Sequence, residues 1–164
     1  MTELLESWKD FNVAMVGAAA ALAGLAIVAA SVNIEAIVKS SQITARLGAA
    51  IATFVLVIAV SALGLVPGIP LVVYGVLTIV ATLAVLVFQA NAARQLYGTE
   101  SPENRFKLFR AGLGFVPLAA YLAGGVLLTS GLDAAGVVVF AAGALLAIAA
   151  VLFISWIALV EILR

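Results

Sequence analysis

The chain has 164 residues, of which 66% are hydrophobic and 10% are charged, and its mean hydropathy is +1.30. A water-soluble domain is about half apolar and about a quarter charged, so this composition excludes an ordinary soluble protein. Cysteine and histidine are absent, which excludes disulfides, thiolate chemistry and the commonest ligands of zinc, copper and haem. The formal net charge of zero argues against a nucleic-acid partner, and no cofactor or metal is expected.

Five long apolar runs follow one another along the chain. A helix needs about 20 apolar residues to cross a hydrocarbon core about 30 Å thick, and its backbone groups must be hydrogen-bonded within the segment. The runs are continuously apolar and do not alternate, which excludes a transmembrane barrel. We therefore predict one all-α domain over residues 1–164, a bundle of five transmembrane helices. The predicted spans are residues 11–31, 47–66, 70–89, 111–130 and 134–160.

The first run is preceded by a short amphipathic segment. The segment lacks the basic n-region of a signal peptide, because Glu3, Glu6 and Asp10 precede the run, so we interpret the run as a retained helix. At helical spacing, Leu4, Trp8, Phe11 and Met15 share one face. This face predicts a lead-in that lies at the membrane interface, and anchoring is favoured over a partner-binding role.

The first run also carries a resemblance to a known family. Residues 8–14 (WKDFNVA), 17–25 (GAAAALAGL) and 31–35 (SVNIE) resemble small actinobacterial integral membrane proteins, over about the first 40 residues. Some members are labelled modulators of a membrane-bound AAA protease, so the resemblance implies an accessory role. It also marks Asn33 and Glu35 as family-like polar residues. They are candidates for gating or ion contact, although a Glu35–Lys39 pair at i,i+4 explains the acid adequately.

The connections between the runs differ in charge. Residues 67–70 (PGIP) and 130–133 (SGLD) are short turns, so runs two and three, and runs four and five, are predicted to form antiparallel hairpins. Most charged residues lie in the connections 32–46 and 90–110. Within the second of these, Arg105, Lys107 and Arg110 are candidates for contact with lipid headgroups.

The basic residues predict the orientation. If the N-terminus is outside, Lys9 alone lies outside, and the other basic residues lie in the cytoplasm, where such residues are favoured near helix ends. The predicted topology is N-out and C-in, in a bacterial plasma (inner) membrane. The cytoplasmic basic residues are Lys39, Arg46, Arg94, Arg105, Lys107, Arg110 and Arg164.

A polar stripe marks the third run. Tyr74, Thr78, Thr82 and Gln89 fall on one face of a helix. They are candidates for lining a pore or a small polar pocket, but hydroxyls in membrane helices more often bond their own backbone or a neighbouring helix, so packing is favoured. Shorter polar pairs on the second and fourth runs have the same two interpretations: Thr53 with Ser61, and Tyr121 with Thr129.

Small residues recur at helical spacing in the first and last runs, as Gly17-x-x-x-Ala21, Ala20-x-x-x-Gly24 and Gly136 with Gly143. Such stripes permit close helix packing within one chain or between chains. No phosphate loop, nucleophile–base pair or metal-ligand cluster is present in the sequence. We therefore expect a non-enzymatic accessory, regulatory or scaffolding protein that self-associates or joins a larger membrane complex. The alternative is a homo-oligomeric channel or small-solute transporter, and a membrane enzyme ranks third.

Overall fold

The structure is a computed structural model, and it describes residues 2–97 and 112–162. Over these two ranges all regular structure is helical and no strand occurs. The helices are α1 (Thr2–Ser7), α2 (Lys9–Val32), α3 (Ile34–Val38), α4 (Ser41–Leu63), α5 (Leu71–Tyr97), α6 (Phe115–Thr129) and α7 (Asp133–Ile162).

Four of the helices are long and apolar enough to cross a membrane. These are α2, α4, α5 and α7, while α6 is an apolar helix of 15 residues. The protein is therefore an all-helical bundle of the kind found in membranes. The helices coincide with the five apolar runs because continuous apolar sequence in lipid must form its hydrogen bonds within each segment.

The helix bounds differ from the predicted spans at several ends. The helix α4 begins at Ser41, before the apolar run, because the Ser40 hydroxyl accepts a hydrogen bond from the Ile43 N–H at 3.4 Å and so caps the helix. The helix α5 continues to Tyr97, since the polar residues after position 89 are mostly good helix formers. The helix α2 ends at Val32, just past the first predicted span, and Asn33 separates it from α3.

The helix α4 occupies the centre of the arrangement. It packs against α2, α5 and α7, while α6 packs against α5 and α7. The helices α4 to α7 thus form a four-helix bundle, and α2 lies outside it, mainly against α4. The largest fully buried hydrophobic side chains of the core are Phe54, Leu56, Val57, Val60, Leu118, Tyr121, Leu128 and Val151.

Both predicted hairpins are present. Gly131, at φ 80°, ends α6, the Leu132 N–H donates to the Leu127 carbonyl at 2.9 Å, and the Gly131 N–H donates to Leu128 at 3.3 Å. This pair of bonds is a Schellman motif, which satisfies the last carbonyls of the helix. Gly68, at φ 71°, occupies the corresponding turn between α4 and α5.

Glycines bring the backbones of neighbouring helices together inside the bundle. A Cβ atom placed on Gly75 of α5 would lie 2.9 Å from the carbonyl oxygen of Gly125 in α6. A Cβ atom on Gly136 of α7 would lie 3.1 Å from the carbonyl oxygen of Gly124. Side chains larger than hydrogen at these positions would hold the helices apart, so the glycines set both interhelical distances.

The amphipathic lead-in folds against the bundle. Leu4, Trp8, Phe11 and Met15 are partly buried against the core cluster, and the rings of Trp8 and Phe11 meet edge to face at 5.6 Å. A shallow cavity separates this segment from the α4–α5 turn at residues 64–69. The shared face predicted for these residues therefore packs on protein, and α1 lies at the same end of the bundle as the α4–α5 turn.

Candidate functional site

The polar stripe of α5 lies in the interior of a single chain. Thr78 and Thr82 are fully buried, and Tyr74 and Gln89 are nearly so. The Thr78 hydroxyl donates to the Tyr74 carbonyl at 2.9 Å, and the Thr82 hydroxyl donates to the Thr78 carbonyl at 2.7 Å. Both threonines therefore donate to their own helix. Because the stripe is buried within one chain, a pore along it would run through a single subunit and not along the symmetry axis of an oligomer.

One end of the stripe joins a polar group that we call the Arg46 cluster, formed by Arg46, Thr53 and Gln89. The Gln89 Nε2 donates to the Thr53 Oγ1 at 3.2 Å, a buried bond between α5 and α4, and Thr53 donates to the Ala49 carbonyl at 2.8 Å. Gly114 leaves room for the amide, since a Cβ atom there would lie 2.7 Å from the Gln89 Oε1. The cluster borders a cavity of about 40 Å³.

The other end of the stripe joins the Tyr121 cluster, formed by Asn12, Ser61, Tyr74 and Tyr121. All four side chains are buried, and they border a cavity of about 10 Å³, which is about the volume that admits one water molecule. The Tyr121 hydroxyl is buried and has no hydrogen-bond partner in the described part of the chain. The ring of Phe140 lies 5.2 Å from that of Tyr74 and 5.8 Å from that of Tyr121.

The structure does not bring Asn33 and Glu35 into either cluster. The Asn33 Nδ2 donates to the Ala29 carbonyl at 3.0 Å, so its amide is used within α2. The predicted Glu35–Lys39 pair is wrong: both side chains are exposed, and the ion pair found over residues 2–97 and 112–162 joins Lys9 to Glu6 at 3.4 Å. Pairing of exposed side chains contributes little free energy, so Glu35 and Lys39 remain solvated without a large cost.

The remaining predicted residues divide between exposed and undescribed positions. Thr129, expected to share a polar face with Tyr121, is exposed at the α6–α7 turn and donates to the Val126 carbonyl at 2.9 Å. The candidate headgroup contacts Arg105, Lys107 and Arg110 lie outside the described residues, and their role stays a prediction.

The small-residue stripes face in opposite directions. Gly136 and Gly143 of α7 are buried and face α6. Gly17 and Gly24 of α2 are exposed, and a Cβ atom on either would meet nothing within 4 Å. Ala20 and Ala21 are exposed beside them, so α2 presents a smooth outward surface, which we call the α2 small-residue face: Gly17, Ala20, Ala21 and Gly24.

The buried chemistry of the bundle is almost entirely neutral. Among the residues that the structure describes, no three acidic side chains come together as a metal site would require, and the buried ionisable groups are Arg46 and two tyrosines. Arg46 and Asn12 were not predicted to be interior residues. Each is a polar residue within or beside the first turns of an apolar helix, and this position is the sequence feature that could have predicted its burial.

Comparisons with known proteins found no similar protein. No protein-family model matches the chain, and no curated protein sequence or solved structure is measurably similar to it.

Proposed function

We propose that the protein is a non-enzymatic accessory or regulatory component of a bacterial plasma membrane, and that it joins a larger membrane complex through α2. The observation that carries this proposal is the α2 small-residue face. It lies on the helix that packs outside the four-helix bundle, and open space surrounds Gly17 and Gly24. The resemblance of the first 40 residues to small membrane proteins, some labelled protease modulators, agrees with an accessory role.

The physical reason is that lipid supplies no hydrophobic force between helices. Association in a membrane depends on van der Waals packing and interhelical hydrogen bonds, so small residues that let backbones approach closely are favoured at interfaces. Gly17, Ala20, Ala21 and Gly24 offer such an approach to a transmembrane helix of a partner. Large side chains are common on the other exposed surfaces, for example Val80 and Leu83 of α5.

Replacing Ala21 with leucine is expected to release the protein from its complex, because the larger side chain would hold a partner helix away. Gentle extraction from native membranes followed by mass measurement checks this result. Ala84→Leu is the matched control, since Ala84 is also exposed but lies on α5, and it should leave the complex intact. Recovery of the wild-type chain as a homo-oligomer with no other protein bound would contradict the proposal.

A homo-oligomeric channel or small-solute transporter lined by Tyr74, Thr78, Thr82 and Gln89 is the alternative function. The observations favour it less, because the threonine hydroxyls donate to their own helix and the stripe is buried within one chain. Ion flux in proteoliposomes that disappears in Thr82→Leu would favour the channel over the accessory role.

We also propose that α6 is the fifth span and that the topology is N-out and C-in. Lys9 lies at the end of the bundle that holds the α4–α5 turn, while Lys39, Arg46 and Arg94 lie towards the other end. Because basic residues favour the cytoplasm, the end with three of them is the proposed cytoplasmic end.

Because the chain lacks cysteine, a single introduced cysteine reports on which side of the membrane its position lies. A membrane-impermeant maleimide should label Ser130→Cys in intact cells and Ser41→Cys only after permeabilisation; the reverse pattern would invert the topology.

A further inference from the structure

The Arg46 cavity adjoins an apolar groove between α6 and α7. Leu113, Ala150 and Phe153 line both spaces. The groove has a volume of about 280 Å³ and extends along α7 from Leu146 to Phe153, a length of about 10 Å at the helical rise. The cavity that holds Arg46 and the apolar groove therefore share one wall, at a surface where α6 and α7 expose large apolar side chains such as Val116 and Leu146.

The polar end of this composite space carries a cation. Arg46 is only 8% exposed, and no acidic side chain of the described residues lines the cavity. A guanidinium has five N–H donors in a planar fork that matches a phosphate, so it can bind one alongside contacts within the chain. The amide of Gln89 and small alanine side chains, such as Ala49 and Ala92, border the same space.

The depth of Arg46 also fits a headgroup. From Arg46 to Leu63 at the far end, α4 extends about 25 Å, which is close to the hydrocarbon thickness of about 30 Å. The guanidinium therefore lies near the level of the phosphates of one leaflet. The groove runs from that level towards the bilayer centre, as an acyl chain does.

We propose that the Arg46 cavity and the groove together bind one anionic phospholipid, with its phosphate beside Arg46 and one acyl chain against Leu146, Ala149 and Phe153. Basic pockets between transmembrane helices on the cytoplasmic side recognise anionic headgroups in this way. The site is separate from the α2 small-residue face, so this proposal does not depend on the accessory role.

Trp156 offers a direct readout. It is exposed and lies about one helical turn after Phe153, a residue of the groove, so we expect a lipid bound in the groove to lie near its indole. In a Trp8→Phe background reconstituted in phosphatidylcholine vesicles, brominated phosphatidylglycerol is expected to quench Trp156 at about fivefold lower mole fraction than brominated phosphatidylcholine does. One basic residue near an anionic headgroup contributes about this much selectivity.

Arg46→Gln should abolish the preference, so that both brominated lipids quench alike. Arg94→Gln is the matched control, because Arg94 is an exposed arginine towards the same end of the bundle, and it should keep the preference. Equal quenching by the two lipids in the parent protein would overturn the proposal, and so would an equal loss in Arg94→Gln, since either result describes ordinary annular lipid.

A second variant keeps the test decisive if Arg46→Gln does not fold. Ala149 is exposed and lines the groove, so Ala149→Phe fills the acyl site while leaving Arg46 in place. It should lose the preference for phosphatidylglycerol, whereas Ala84→Phe, on the exposed surface of α5, should retain it. A full preference in Ala149→Phe would overturn the assignment of the acyl chain to this groove.

Discussion

Replacing Gly75 with alanine is expected to destabilise the bundle by about 1–3 kcal/mol, the usual cost of an added carbon in a packed interior. The new Cβ atom would lie 2.9 Å from the Gly125 carbonyl oxygen and 3.0 Å from the Leu128 Cβ. A backbone oxygen cannot rotate away as the end of a side chain can, so α5 and α6 must separate. Contacts along the whole interface between the two helices would then be lost.

The measurement is reversible unfolding in mixed detergent micelles, followed by circular dichroism. Gly48→Ala is the control, because Gly48 also lies within a helix, and a Cβ atom there would meet nothing within 4 Å. That variant should be neutral or gain up to about 1 kcal/mol from the better helix propensity of alanine. Equal stability of Gly75→Ala and the parent chain would contradict the close approach of α5 and α6.

Replacing Phe140 with alanine is expected to cost about 3 kcal/mol in the same assay. Phe140 is 4% exposed, and its ring lies against both Tyr74 and Tyr121, so its removal leaves a cavity between aromatic rings. Phe→Ala changes in cores cost about 3–5 kcal/mol. We expect the lower part of that range, because an unfolded chain in a micelle also keeps the ring away from water, which reduces the transfer contribution.

Phe88→Ala is the matched control for this change. Phe88 is 54% exposed on α5, so its ring faces lipid and leaves no cavity when it is truncated. Its effect should stay within about 0.5 kcal/mol, as for most surface substitutions. A loss as large as that of Phe140→Ala would show that both rings are packed alike and would contradict the helix orientations described here.

The all-helical fold and the positions of the long apolar helices were predictable from the sequence because continuous apolar runs in lipid leave no other structure available. The burial of Tyr74, Thr78, Thr82 and Gln89 was also predictable, since polar side chains avoid lipid. The direction of each small-residue stripe was not predictable: Gly136 faces inward and Gly17 faces outward, although both have the same sequence pattern. In a soluble protein the apolar face of a helix identifies the interior. When a helix is apolar on all sides, its sequence does not show which face is buried.

The two polar clusters could not be read from the sequence for a related reason. The Arg46 cavity is lined by residues of four helices, from Arg46 in α4 to Ile154 in α7, and its volume depends on alanines that have no distinctive spacing. The break at Asn33 was equally hidden, because asparagine differs from its neighbours in helix propensity by only tenths of a kcal/mol.

The threonine bonds of α5 bear on how the protein is made. Since Thr78 and Thr82 donate to carbonyls of their own helix, α5 carries these hydroxyls already satisfied when it leaves the translocon as a single helix. These hydroxyls therefore need no partner helix when α5 enters the bilayer. The helices associate later, and close packing at positions such as Gly75 then determines which helices fit together. The bond from Gln89 to Thr53 forms only at that second stage, when α4 and α5 meet in register.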